Sequence, residues 1–150
     1  MMKIPFYICF LILFGSCTYP CGKSDGLKIS FISFSEQEIS SYSVIKYTKG
    51  SNFSILIDSI KIDSTIGRYF RTNDTLNLGS FLSTARLSVD YDYKILIPSV
   101  NKTYDLTELS EPQLEGRKSM NKDYCMNAIQ SCKVNGVGNK INHNTLYLRK

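Results

Sequence analysis

Tryptophan is absent from the 150-residue chain, histidine occurs once, at His143, and only four prolines and nine glycines punctuate it. A single histidine leaves little room for a histidine base or a multi-histidine metal site. The few glycines follow no repeat, which excludes a collagen-like chain. At 43% hydrophobic residues the composition is too apolar for a disordered tail. The longest apolar run, Ile4 to Phe14, has eleven residues, short of the ~20 that a spanning helix needs. No GxGxxG, GxxxxGK[ST] or HExxH pattern occurs, so nucleotide-binding and zinc-protease chemistry find no motif. Lys and Arg outnumber Asp and Glu 18 to 13, a net charge of +5. These bases are scattered, and Arg117-Lys118 and Arg149-Lys150 are the adjacent pairs. Nucleic-acid binding expects a concentrated stripe, so no nucleic-acid partner is expected.

What is present begins at the N-terminus. Lys3, the apolar run and the small residues Gly15-Ser16 form the three-part pattern of an export signal over residues 1–16. Phe14-Gly15-Ser16-Cys17 resembles the bacterial lipobox, with Phe14 where leucine is commonest. The resemblance implies that Cys17 is the lipidation site, carrying diacylglycerol on its thiol and a further acyl chain, such as palmitate, on its new amino group. Several chains anchor stably where one is marginal, since each buried CH₂ contributes about 0.8 kcal/mol. The alternative is an ordinary signal cut near Ser16 that leaves Cys17 a free thiol. Residues 17–26 are polar and turn-rich, as a tether should be. They carry no acidic cluster, which points to a periplasm-facing address in the outer membrane or cell envelope rather than a surface-exposed one.

Five cysteines constrain the rest. With Cys9 removed and Cys17 lipidated, Cys21, Cys125 and Cys132 remain, an odd number. With Cys17 free, two disulfides become possible. Cys125 and Cys132 lie close in sequence, and an exported, oxidising setting permits a bond between them.

From residue 27 onward the dominant period is two. Leu87, Val89, Tyr91, Tyr93, Ile95 and Ile97 share one face, Ser88, Asp90, Asp92 and Lys94 the other, and Pro98 stops the run. Leu27, Ile29 and Phe31 follow the same grammar. Residues 41–48 and 53–62 flank Lys49-Gly50-Ser51-Asn52, a loop suited to a hairpin. The apolar parity switches between Ile57 and Ile60, which predicts a bulge near Asp58-Ser59 and one buried face. Residues 76–78, 103–107, 132–134 and 145–148 complete the strand candidates. Residues 121–131 hold at most a helical turn, and residues 108–123 read as a long loop of the kind that carries binding. The expected fold is one all-β domain over residues 27–150. An antiparallel β-sandwich, immunoglobulin-like or transthyretin-like, leads, and a small barrel is the alternative.

Catalytic chemistry is hard to assemble. His143, in Asn142-His143-Asn144, lacks a nucleophile motif and reads as a turn residue. Cys21, Cys125, Cys132 and His143 contain no CxxC pair, so no metal site and no cofactor are expected. Asp90 and Asp92 read as solvent-facing charges rather than a catalytic pair. Tyr91 and Tyr93, in phase with Val89 and Ile95, read as core rather than a sugar-stacking platform. Asp58-Ser59-Ile60, Asp63-Ser64-Thr65 and Asp74-Thr75-Leu76 resemble the O-glycosylation acceptor of Bacteroidota. Asn52-Phe53-Ser54, Asn73-Asp74-Thr75 and Asn101-Lys102-Thr103 fit the eukaryotic N-glycosylation pattern.

With Phe14 to Cys17, residues 90–98 and residues 125–136 in hand, the chain resembles small lipoproteins of Bacteroidota. That resemblance implies a compartment and no catalytic residues. The expectation is a non-enzymatic β-domain anchored to the membrane through lipid, with an envelope protein or glycan as partner. The alternative is a soluble, secreted, disulfide-bonded β-protein that binds a small ligand or glycan.

Overall fold

A computed structural model describes residues 18–63, 65–72, 75–117 and 125–150. Twelve strands run through them: β1 (Thr18–Pro20), β2 (Lys28–Ile32), β3 (Tyr42–Thr48), β4 (Leu56–Ile62), β5 (Thr65–Thr72), β6 (Thr75–Ser83), β7 (Tyr91–Ile97), β8 (Lys102–Ser110), β9 (Glu115–Arg117), β10 (Ser131–Val134), β11 (Val137–Lys140) and β12 (Thr145–Arg149). They form a six-stranded sheet in the order β11-β10-β8-β7-β3-β4, a four-stranded sheet in the order β12-β2-β6-β5, and a β1-β9 ribbon. The two main sheets do not close on one another, so the fold is a β-sandwich and not a barrel. Pairing is antiparallel except between β12 and β2, which run parallel. No α-helix occurs among the described residues, and those from 125 to 130 are not helical.

The sandwich follows from the alternation. Tyr93 and Ile95 of β7 pair laterally with Lys46 and Val44 of β3 and with Leu106 and Tyr104 of β8, and with Ile97 they face one interior. Leu27, Ile29 and Phe31 reach that interior from the other sheet and are fully buried. The Phe31 ring packs edge-on against Tyr42 at 5.0 Å and Phe34 at 5.8 Å, geometries that favour the ring quadrupoles. Tyr42 donates to the Ser83 hydroxyl, tying the sheets together, and its burial raises the phenol pKa.

Turns set the ends. Pro98 lacks an N–H for the ladder, so β7 gives way to a 3-10 turn over Pro98–Val100, closed by Asn101 in the left-handed region. Asn135 and Gly136, both at positive φ, form the two-residue turn between β10 and β11, the Asn-Gly hairpin signal. Strands β5 and β11 and the short β1 and β9 are the elements that the alternation does not mark.

Three local expectations need correcting. The β3–β4 loop is longer than four residues: Phe53 sits at φ 61°, and its ring folds back against Tyr47 at 5.3 Å. The bulge is present, since Lys46 pairs with Asp58 and Tyr47 with Leu56, leaving Ile57 extra. It does not bury β4, the edge strand of the six-stranded sheet, which is exposed along almost its whole length. Residues 108–117 are not all loop, since β8 runs to Ser110 and Glu115–Arg117 pairs with β1; residues 118–123 lie outside the described part.

Candidate binding site

Cys17, the lipidation candidate, lies outside the described residues. The described chain begins at Thr18, where β1 pairs with β9. Beyond β1, Cys21 N–H donates to the Leu114 carbonyl, and Gly22 N–H donates to the Cys125 carbonyl. These contacts bring Cys21 beside Cys125, and the two form a disulfide with Cα atoms 4.9 Å apart. The expected Cys125–Cys132 bond is therefore corrected. Cys132 lies in β10 with its side chain turned into the core, 2% exposed and unpaired. Burial pushes its thiol up to about 11, so it is a neutral, unreactive group.

The four-residue metal set dissolves for the same reason, because two of its cysteines are bonded to each other. His143 is exposed at the turn before β12, where His143 and Asn144 both have positive φ. Asn144, not His143, does the structural linking: it accepts from Ile129 N–H at 2.7 Å and donates to Ser24 Oγ at 3.2 Å. Tyr93 is core as expected, 2% exposed, with burial pushing its phenol up to about 12.

Asp90 and Asp92 part company. Asp90 is exposed, with the Ser88 hydroxyl and then Lys23 lowering its pKa. Asp92 is only 3% exposed, against the solvent-facing reading. It projects from the outer face of the six-stranded sheet, opposite Tyr47, and the β3–β4 loop closes over it. Gly50 N–H donates to Asp92 Oδ2 at 2.7 Å, while Oδ1 is buried without a hydrogen-bond partner. Ser51 Oγ, in the same loop, is also buried and unpartnered. The loop is fixed by Lys49, whose Nζ donates to the carbonyls of Val89 at 2.7 Å and Leu109 at 3.0 Å.

Beside Asp92 opens a pocket of about 330 Å³ lined by Lys49, Gly50, Asn52, Asp92, Thr107 and Glu108. Glu108, at φ 51°, forms a bulge in β8 and pairs with Lys133 at 2.6 Å. Aromatic surface adjoins it, with Lys94 Nζ 4.1 Å over the Phe53 ring. An amide, a hydroxyl and carboxylates around one cavity can exchange hydrogen bonds with a hydroxylated ligand. Buried acceptors without partners are costly, by about 1–3 kcal/mol each, so a donor that reached Asp92 would gain accordingly. No sequence signal marks this site, because only the loop's return makes Asp92 an interior group.

A second cavity, about 290 Å³, opens between the sheets where β4 forms the edge. Val44, Ile60, Ile62, Ala85, Leu87 and Tyr93 give it apolar walls, and Lys46, Asp58 and Arg86 stand at its mouth. Compared with known protein families, curated proteins and solved structures, the chain matches none.

Proposed function

We propose that this chain is a lipid-anchored protein of the bacterial envelope, facing the periplasm, whose β-sandwich binds a macromolecular partner and performs no catalysis. The observation that carries the reading is Phe14-Gly15-Ser16-Cys17 standing four residues ahead of Cys21, which is itself bonded to Cys125. An acylated Cys17 would thus sit on a segment fixed to the domain rather than on a free leash. Envelope protein and envelope glycan are the partner classes in view, and no nucleic acid is. The test is the intact mass of the mature chain purified from membranes of its native host. A chain beginning at Cys17 and heavier by its acyl groups is expected. An unmodified chain, or a Cys17→Ala variant processed and retained in membranes like the wild type, would overturn the reading.

The Asp92 pocket favours a second reading, a secreted soluble domain that binds a small hydroxylated ligand such as a glycan. It requires an unacylated Cys17 and glycan binding that Asp92→Ala abolishes. Binding unchanged by that substitution would sink it.

A further inference from the structure

We propose that the β3–β4 end of the sandwich is a membrane-contacting face, with Ile55, Leu56 and Ile57 seated in the lipid headgroup layer beside the anchor. The proposal rests on the lipid-anchor reading of Cys17 and goes beyond it by naming the face that meets the bilayer.

These three consecutive residues are 54%, 60% and 50% exposed. Runs of exposed apolar residues are normally avoided in a water-facing domain. They lead into β4: Thr48 N–H donates to the Ile55 carbonyl at 3.0 Å, Leu56 lies opposite Tyr47, and Ile57 is the bulged residue. Thr48 in turn lies opposite Tyr91, the first residue of β7. The run therefore sits at the end of the six-stranded sheet where β7 begins and β8 finishes.

The segment that follows Cys17 joins the domain at this same end. Lys23 meets Asp90 at 3.7 Å, and Ser24 N–H donates to Glu111 at 2.9 Å. Cys17 precedes Lys23 by six residues, which span at most about 20 Å. From β7 to β4 is two strand spacings, roughly 10 Å. A bilayer holding the acyl chains of Cys17 thus lies within reach of Ile55–Ile57. Lys23 and Asp90 offset one another, and the contact proposed is made by the apolar run. A groove-filling peptide or a second copy would account for the exposed run equally well in isolation, but neither is tied to this end of the fold as the anchor is.

The absence of tryptophan makes the test direct. The full chain carrying I57W is expressed in a host that acylates it and reconstituted into neutral phosphatidylcholine vesicles. T103W, at an exposed position near the far end of β8, serves as the control. The I57W emission should shift to the blue and fall about twofold with bromine at shallow acyl positions, within the ~5–10 Å that interfacial groups penetrate. T103W should do neither, and quenching should survive about 0.5 M salt, where exposed charges are screened. The intact mass of the same sample reports the anchor separately. An acylated chain whose I57W reporter is unquenched overturns the docking face and leaves the anchor standing. A blue shift without quenching, accompanied by a dimer in detergent, assigns the run to a second copy and overturns it too. A chain without acyl groups removes the parent reading.

Discussion

Cys132 and Asp92 are buried groups that differ in what surrounds them. Cys132 is enclosed by core and its thiol pKa is raised from 9 to about 11. A raised pKa means that the neutral form suits the fold. Its contribution to stability is thus complete below pH ~9 and is lost as the pH rises toward 11, where the unfolded thiol has already ionised. At pH 8 iodoacetamide should leave Cys132 unmodified in the native chain and alkylate it in denaturant, as read by peptide mass. Alkylation at equal rates in both states would contradict its burial. Asp92 holds Gly50 through one oxygen and nothing through the other. Asp92→Asn keeps an acceptor for Gly50 and exchanges one unpartnered buried oxygen for an unpartnered amide nitrogen. Urea unfolding should therefore show a variant within about 1 kcal/mol of the wild type. A larger loss would mean that the carboxylate serves the fold.

Among the elements, β4 is the most informative. Its edge position leaves Ile60 52% exposed, so Ile60→Lys should move the unfolding free energy by no more than about 0.5 kcal/mol. The same change should reduce self-association in light scattering, since charge on an edge strand blocks pairing with another chain. A large destabilisation would place Ile60 in the core after all. The bulge in β4 is legible in the sequence, because apolar parity switches within one strand only where a residue slips out of the pleat. Its exposure is not, because alternation shows that residues share a face without showing what covers that face. Residues 91–97 are legible because their apolar face is covered by the other sheet, so that Tyr93, Ile95 and Ile97 are all buried. The Asp92 pocket is hidden in the loop geometry, where Gly50 and Asn52 adopt left-handed backbone that composition does not specify. The Cys21–Cys125 pairing depends on the β1–β9 ribbon, whose two strands are three residues each and too short to carry a period.

For the molecule as a whole, the disulfide joins residues 104 apart in sequence. In the chain-entropy account, closing a loop of that size restricts the unfolded state by about 4.7 kcal/mol. Reduction, or Cys125→Ser, should then lower the free energy of urea unfolding by a few kcal/mol while the sandwich persists at low denaturant. An unchanged unfolding curve would show that the ribbon is held by its backbone bonds alone. The parallel β12–β2 pair sets the order in which the structure can be made. Strand β2 finds its partner in β12, with Lys28 opposite Thr145 more than a hundred residues further along the chain. The four-stranded sheet cannot be completed until Thr145–Arg149 has arrived, and such distant pairing places folding in the millisecond-to-second range. Leu146 and Leu148, both buried, join the core only with that pairing.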